Sequence, residues 1–384
     1  MSYLSRQLSG RTDVALDAGW TDAPARKGFF TDTSICIGCK ACEVACKEWN
    51  ALPLDGLALT GNSYDNTGDL GGSTWRHVAF VEQSQDRIEA ARESGRQLVD
   101  LGMPGIGAPL EARSSHLGEQ GPPQRGGTPA GYGTLPAPIE GHGPDLTDML
   151  AAVENPATVT GPGEDLGTTV DGTPMVGPLP EFRWLMASDV CKHCTHAGCL
   201  DVCPTGALFR SEFGTVVVQA DICNGCGYCV GACPFGVIER RTGEGAEFRG
   251  QAEDAHVPNI GVAQKCTLCY DRLGHDQTPA CAQTCPTTSI KFGDHADMVA
   301  TAKERVAQLH EQGFTEARLY GANEHDGVGG TGSVFLLLDE PEVYGLPPDP
   351  VVATAYLPDM FRKAGIAALG MIGAAAISFL GARR

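Results

Sequence analysis

CNGCGYCVGACP, residues 223–234, sets four cysteines in the spacing C-x2-C-x2-C-x3-C and follows the last with proline. The same spacing stands at Cys36, Cys39, Cys42 and Cys46. A third group, Cys191, Cys194, Cys199 and Cys203, widens the middle gap to four residues; a fourth, Cys266, Cys269, Cys281 and Cys285, widens it to eleven. Proline follows the last cysteine of three groups, at Pro204, Pro234 and Pro286, and Lys47 takes that place in the first. These four quartets use all 16 cysteines, so no thiol is left for nucleophilic catalysis and the pattern is not that of a disulfide scaffold. It is the bacterial-ferredoxin run for [4Fe–4S] clusters, in which three cysteines hold one cubane and the fourth reaches another. Thiolates two residues apart wrap three corners of a cube, and the small residues between them (Gly38, Ala41, Gly225, Gly227) let backbone N–H groups approach the sulfides. Cysteines therefore pair between groups, and two groups make one two-cluster module. The competing reading is zinc. Its tetrahedral site takes four ligands, and a third cysteine at the next x2 step plus C-x3-C-P has no use there.

Composition narrows the function further. The 384 residues leave room for two or three domains at roughly 100–200 residues each. A formal charge of −19 repels phosphate backbones, and 7% aromatics argues against a base-stacking platform, so nucleic acid is not an expected partner. No Walker loop, H-E-x-x-H or G-x-G-x-x-G before a helix accompanies the cysteines, which leaves no catalytic residues to name. His193 and His196, between the cysteines of the 191–203 group, read as supporting residues rather than ligands, because that quartet is already complete.

Along the chain, residues 51–183 form a separate stretch. Positions 101–180 hold 16 Gly and 13 Pro, too many for regular elements, and only short pieces such as Arg87–Leu101 are expected to be helical. The stretch reads as a long, mostly irregular insertion. Ala207–Arg210 and Thr215–Val218, around Ser-Glu-Phe-Gly, predict a β-hairpin. Ser289–Gly293 predicts a strand, 295–312 a helix closed by Gly313, and Ser333–Asp339 a buried strand. From Ala364 to Ala382, 19 residues carry no charge, between Arg362–Lys363 and Arg383–Arg384; they predict a single membrane-anchoring helix. Met1–Gly10 shows neither an apolar h-region nor a twin-arginine pair, so no export signal is expected in it.

CIGCKACEVACKEWN (36–50), CKHCTHAGCLDVCPTGAL (191–208), CNGCGYCVGACPFGV (223–237) and KCTLCYDRLGHDQTPACAQTCPTTSIKFG (265–293) together resemble the four-cluster β subunit of respiratory formate dehydrogenases, within the iron–sulfur subunits of molybdopterin oxidoreductases. Val306–Pro350, with its YGLPP pattern, resembles that subunit's tail. The resemblance implies an α+β fold of two ferredoxin-like two-cluster modules, one inserted in the other. Module A is expected at 1–50 and 241–300 and module B at 184–240, with the insertion at 51–183, an α/β extension at 301–361 and the anchor at 362–384. It also implies the ligand sets: Cys36, Cys39, Cys42 and Cys285; Cys266, Cys269, Cys281 and Cys46; Cys191, Cys194, Cys199 and Cys233; Cys223, Cys226, Cys229 and Cys203. The short gap from Cys203 to Cys223 independently suits one ferredoxin fold for the middle two groups.

The function implied is electron relay through four [4Fe–4S] clusters from a molybdopterin (Mo or W) formate-oxidising subunit to a membrane cytochrome b that reduces quinone. The same relay serving another molybdopterin oxidoreductase or a membrane hydrogenase is the nearest alternative; a zinc-stabilised scaffold is the alternative of a different class. The family implies a cell-membrane location with the cluster domain on the extracytoplasmic face.

Overall fold

Lys27–Asp32 (β1) places Phe29 and Phe30 side by side, and both are completely buried. Adjacent strand residues point to opposite faces, so this strand must be covered on both sides. The computed structural model, which describes residues 14, 18–53, 67–100, 182–242, 257–352, 354 and 357–381, provides that cover.

After β1 come helix α1 (Ala41–Trp49), strand β2 (Arg76–Ser84), helix α2 (Gln85–Asp100) and strand β3 (Phe182–Val190). The cysteine-rich centre follows, with α3 (Gly198–Asp201), β4 (Leu208–Arg210), β5 (Val216–Val218), α4 (Tyr228–Ala232), β6 (Glu239–Arg240), β7 (Ala263–Gln264), α5 (Tyr270–Leu273) and α6 (Ala280–Gln283). The chain then forms β8 (Ile290–Asp294), α7 (His295–Glu311), β9 (Arg318–Tyr320), β10 (Ser333–Leu337) and α8 (Leu357–Gly381).

Four strands make the main sheet, in the order β8-β1-β10-β9. β1 runs parallel to β10 and antiparallel to β8. Every residue of β10 is buried, as an unbroken apolar run beside a parallel neighbour requires. α7 packs across this sheet through Ala302, Val306 and Leu309. Its end is turned by Gly313 at φ 87°, a left-handed position that a side chain would strain. The hairpin expected around residues 211–214 forms as β4 paired with β5, and the strand, helix and strand expected at 289–293, 295–312 and 333–339 form as β8, α7 and β10. β9 and β10, from the stretch set apart as 301–361, share one sheet with β1 and β8, so the sheet itself runs across the boundary drawn at residue 300.

One expectation needs correcting. The 51–183 stretch is not irregular where it is described: β2 pairs with β3 over nine residues from Arg76–Val190 to Ser84–Phe182, and α2 follows at once. Val78, Ile88 and Ala91 are buried, so this piece belongs to the packed body. The Gly- and Pro-rich positions 101–181 lie outside the described residues, as do residues 1–13 and Arg383–Arg384. At the other end, Met360–Phe379 within α8 is long and apolar enough to cross a membrane, and none of it is buried.

Candidate metal centre

The C-x3-C ending of each group is one turn of helix. α1 carries Cys42 and Cys46, α4 carries Cys229 with Cys233 just beyond, and α3 and α6 carry Cys199 and Cys281 with Cys203 and Cys285 after them. Four residues rise about 6 Å, so the third and fourth cysteines of a group reach different neighbourhoods. The C-x2-C loops that precede the helices need left-handed backbone. Gly225 and Gly227 supply it at φ 72° and 82°, and Gly38 and Lys40 hold the matching positions at 65° and 57°. The first loop is also pinned from behind: Asp32 accepts from the Ser34 N–H at 3.0 Å and pairs with Arg305 of α7 at 3.0 Å.

Mutual repulsion reveals who the neighbours are. Burial first, then Cys285 and Cys39, raise the Cys36 thiol above its ordinary range. Burial, followed by Cys266, Cys281 and Cys269, holds Cys46 well above it. Cys194 is likewise pushed well up by burial and then by Cys233, Cys191 and Cys199. Cys229 rises to about 11 through burial, then Cys223, Cys226 and Cys203. In each neighbourhood the foreign member comes from another group: Cys285, Cys46, Cys233 and Cys203. The neighbourhoods also touch in series. Burial lifts Cys42 to about 11 against the pull of Arg76, with Cys281 adding to the rise. Cys266, raised chiefly by burial, has Cys191 as its strongest negative neighbour. Cys199, lifted by burial to about 12, feels Cys229 after Cys233 and Cys191. Cys39 and Cys226 are exposed, whereas Cys46, Cys266, Cys269 and Cys281 are all buried, and all sixteen cysteines are free of disulfides.

Two of the four neighbourhoods line small, partly open cavities. One is lined by Cys46, Cys266, Cys269 and Cys281 with Phe29, Trp75 and Arg76. The other is lined by Cys191, Cys194, Cys199 and Cys233 with His193 and Lys265. Among the described residues no three Cys, His, Asp or Glu side chains converge closely enough for a single metal ion, whose Zn–S bonds would be about 2.3 Å. Thiols that repel one another on ionisation need a cationic centre to become ligands together.

Donors already face the sulfurs. The Leu268 N–H reaches Cys266 Sγ at 3.3 Å, Asn50 Nδ2 lies 3.6 Å from Cys46 Sγ, and Ser188 Oγ lies 3.2 Å from Cys42 Sγ. Four further buried nitrogens around the cavities have no partner: Trp75 Nε1, Arg76 Nε and Nη2, and His193 Nε2. His193 Nδ1 accepts from the Val216 N–H at 3.1 Å, and burial above all, then nearby cations led by Lys265, hold its pKa well below the ordinary value. The ring is neutral with its proton on Nε2. His196 sits apart, against Gly329 and Val328. The residues present therefore fit iron–sulfur clusters, in the nature of the donors and in the space they leave.

Trp75, Arg76 and Lys265 were not candidates from sequence. The run RHVAFVEQS does carry a strand signal in Val78, Phe80 and Val81, but it lies in a stretch whose average composition is set by the residues after 100.

Comparison with known proteins agrees. Residues 182–295 match the 4Fe-4S dicluster domain. The formate dehydrogenase iron-sulfur subunit of Haemophilus influenzae is 29% identical over 378 residues, covering 95% of this chain and 85% of that protein. The formate dehydrogenase-O iron-sulfur subunit of Escherichia coli is 29% identical over 364 residues, 92% of this chain and 82% of the relative. The thiosulfate reductase electron transfer subunit PhsB of Salmonella typhi is 43% identical over 116 residues, 30% of this chain and 51% of its own length. Along most of its length the chain is similar to formate dehydrogenase iron–sulfur subunits, and its residues 182–295 carry a 4Fe-4S dicluster domain.

Proposed function

We propose that this subunit carries electrons from a molybdopterin formate-oxidising partner to a membrane cytochrome b and quinone. Four [4Fe–4S] clusters, when bound, supply one-electron carriers in a line. Their ligands would be Cys36, Cys39, Cys42 and Cys285; Cys46, Cys266, Cys269 and Cys281; Cys191, Cys194, Cys199 and Cys233; and Cys203, Cys223, Cys226 and Cys229. The observation that carries this reading is the neighbour pattern itself: three cysteines of one group meet one of another around Cys46, Cys194 and Cys229, and Cys36 and Cys39 meet Cys285. The linear order is supported by the electrostatic neighbours in series, Cys42 with Cys281, Cys266 with Cys191 and Cys199 with Cys229.

Two ferredoxin-like modules follow from the same sets. Groups one and four build module A on the main sheet, and 184–240 builds module B inserted within it. A second small apolar cluster, of Ala197, Leu208, Val216, Cys229 and Ile238 with Ala263 added from beyond residue 240, supports a second core centred on the inserted module. The end ligand sets each keep one exposed cysteine, Cys39 beside the exposed Ile37 and Val44, and Cys226 beside Ile222 and Tyr228. Apolar surface at both ends of the line suits docking of a donor and an acceptor subunit. α8 would anchor the subunit, with the cluster-bearing body on the extracytoplasmic face.

The thiosulfate reductase relative favours a second reading, the same relay serving another oxidoreductase, but its similarity spans only 30% of this chain. Purifying the native complex anaerobically separates the two. Formate should reduce the clusters and a molybdopterin chain should co-purify; clusters that stay oxidised with formate but are reduced by a different donor would overturn the formate assignment.

A further inference from the structure

Arg76 is fully buried, and nothing about its position is accidental. Its Nη1 donates to Ser188 Oγ at 2.9 Å, its guanidinium lies 4.9 Å from the centroid of the Phe29 ring, and β-pairing sets Arg76 opposite Val190, next to Cys191. Held this way, Nε and Nη2 have no protein partner, and neither has Nε1 of the adjacent Trp75. Both side chains line the cavity of Cys46, Cys266, Cys269 and Cys281. Among the described residues no carboxylate is paired with Arg76; the groups placed to answer its charge, once they are thiolates on a metal centre, are Cys281, Cys42, Cys266 and Cys46.

A buried cation with unused donors is costly to keep unless an anion faces it. We propose that Trp75 and Arg76 are positioning residues for the iron–sulfur centre of Cys46, Cys266, Cys269 and Cys281, donating N–H bonds to its sulfurs and raising its reduction potential. The inference rests on the ligand sets proposed above. A four-thiolate cubane gains negative charge on reduction, so a fixed cation and hydrogen bonds to sulfur favour the reduced form. Arg76 also meets the next ligand set through Ser188, which bonds both the guanidinium and Cys42 Sγ, so a weaker effect on that neighbour is expected.

The test uses the full-length subunit in its complex, with Arg76→Lys, Arg76→Gln and Trp75→Phe. Iron and sulfide contents are measured first, because a wild type without four clusters refutes the ligand reading and this inference with it, whereas full loading leaves the inference to be judged on the potentials alone. EPR-monitored redox titration then reads the potentials. At a poise where the wild-type centre is half reduced, Arg76→Gln should lower its reduced-to-oxidised ratio at least tenfold, about 59 mV for a one-electron couple. Trp75→Phe should move the same centre the same way by less, and Arg76→Lys, which keeps the charge, less than Arg76→Gln. Full iron content with every midpoint unmoved in Arg76→Gln and Trp75→Phe overturns the proposal. Should Arg76→Gln fail to bind iron, Trp75→Phe alone decides by the same criterion.

Discussion

At the scale of the residue, the cysteines were legible because their spacing is local: each C-x2-C loop and each C-x3-C helical turn lies within a dozen neighbouring positions or fewer, the long 269–281 gap excepted. The partner of each fourth cysteine was not legible that way, because Cys46 and Cys266 are brought together by packing of α1 against α6 and the chain after β7. Cys46→Ser isolates this point. The variant should alter the signal of the centre that also uses Cys266, Cys269 and Cys281, while the Cys36, Cys39 and Cys42 centre keeps its spectrum. EPR of the reduced protein reads the result. The reverse pattern, with the Cys36 centre altered and the other untouched, would mean that Cys46 binds within its own group.

At the scale of the element, β4–β5, β8, α7 and β10 could be read from periodicity, since each buries a face by its own pattern. α2 (Gln85–Asp100) stands where a short helix was expected at Arg87–Leu101, but β2 could not be read, because glycine and proline downstream dominate the composition of its region. Their docking is specific. Arg318 donates from Nη2 to the Ala91 carbonyl at 3.3 Å, Thr315 Oγ1 donates to the Arg92 carbonyl at 3.2 Å, and Arg92 meets Glu316 at 3.5 Å. Gly95 lies so close that a Cβ there would overlap the Thr315 carbonyl and come within 2.8 Å of Glu316 Cα. Gly95→Ala should therefore destabilise the protein by about 1–3 kcal/mol, the usual cost of forcing a methyl group into a packed contact. Thermal unfolding measures it, and a melting temperature equal to wild type would show that α2 does not pack as described.

At the scale of the whole molecule, α8 has a surface of a different character from the body. Ile366, Leu369, Met371, Ile372, Ile377 and Phe379 are all exposed, an apolar surface that water does not favour on an isolated helix. The 20 residues of Met360–Phe379 span about 30 Å at 1.5 Å each, the thickness of a bilayer's hydrocarbon core. Truncation after Arg362 should release the subunit from washed membranes or weaken its hold on the proposed cytochrome partner. Full-length complex found wholly in the detergent-free soluble fraction would contradict the anchor. Sixteen cysteines in four sets call for four cubanes in the body. Anaerobic assay of iron and acid-labile sulfide decides it: about 16 of each per chain are expected, four per cubane, whereas about four zinc ions with little iron would rule the cubanes out.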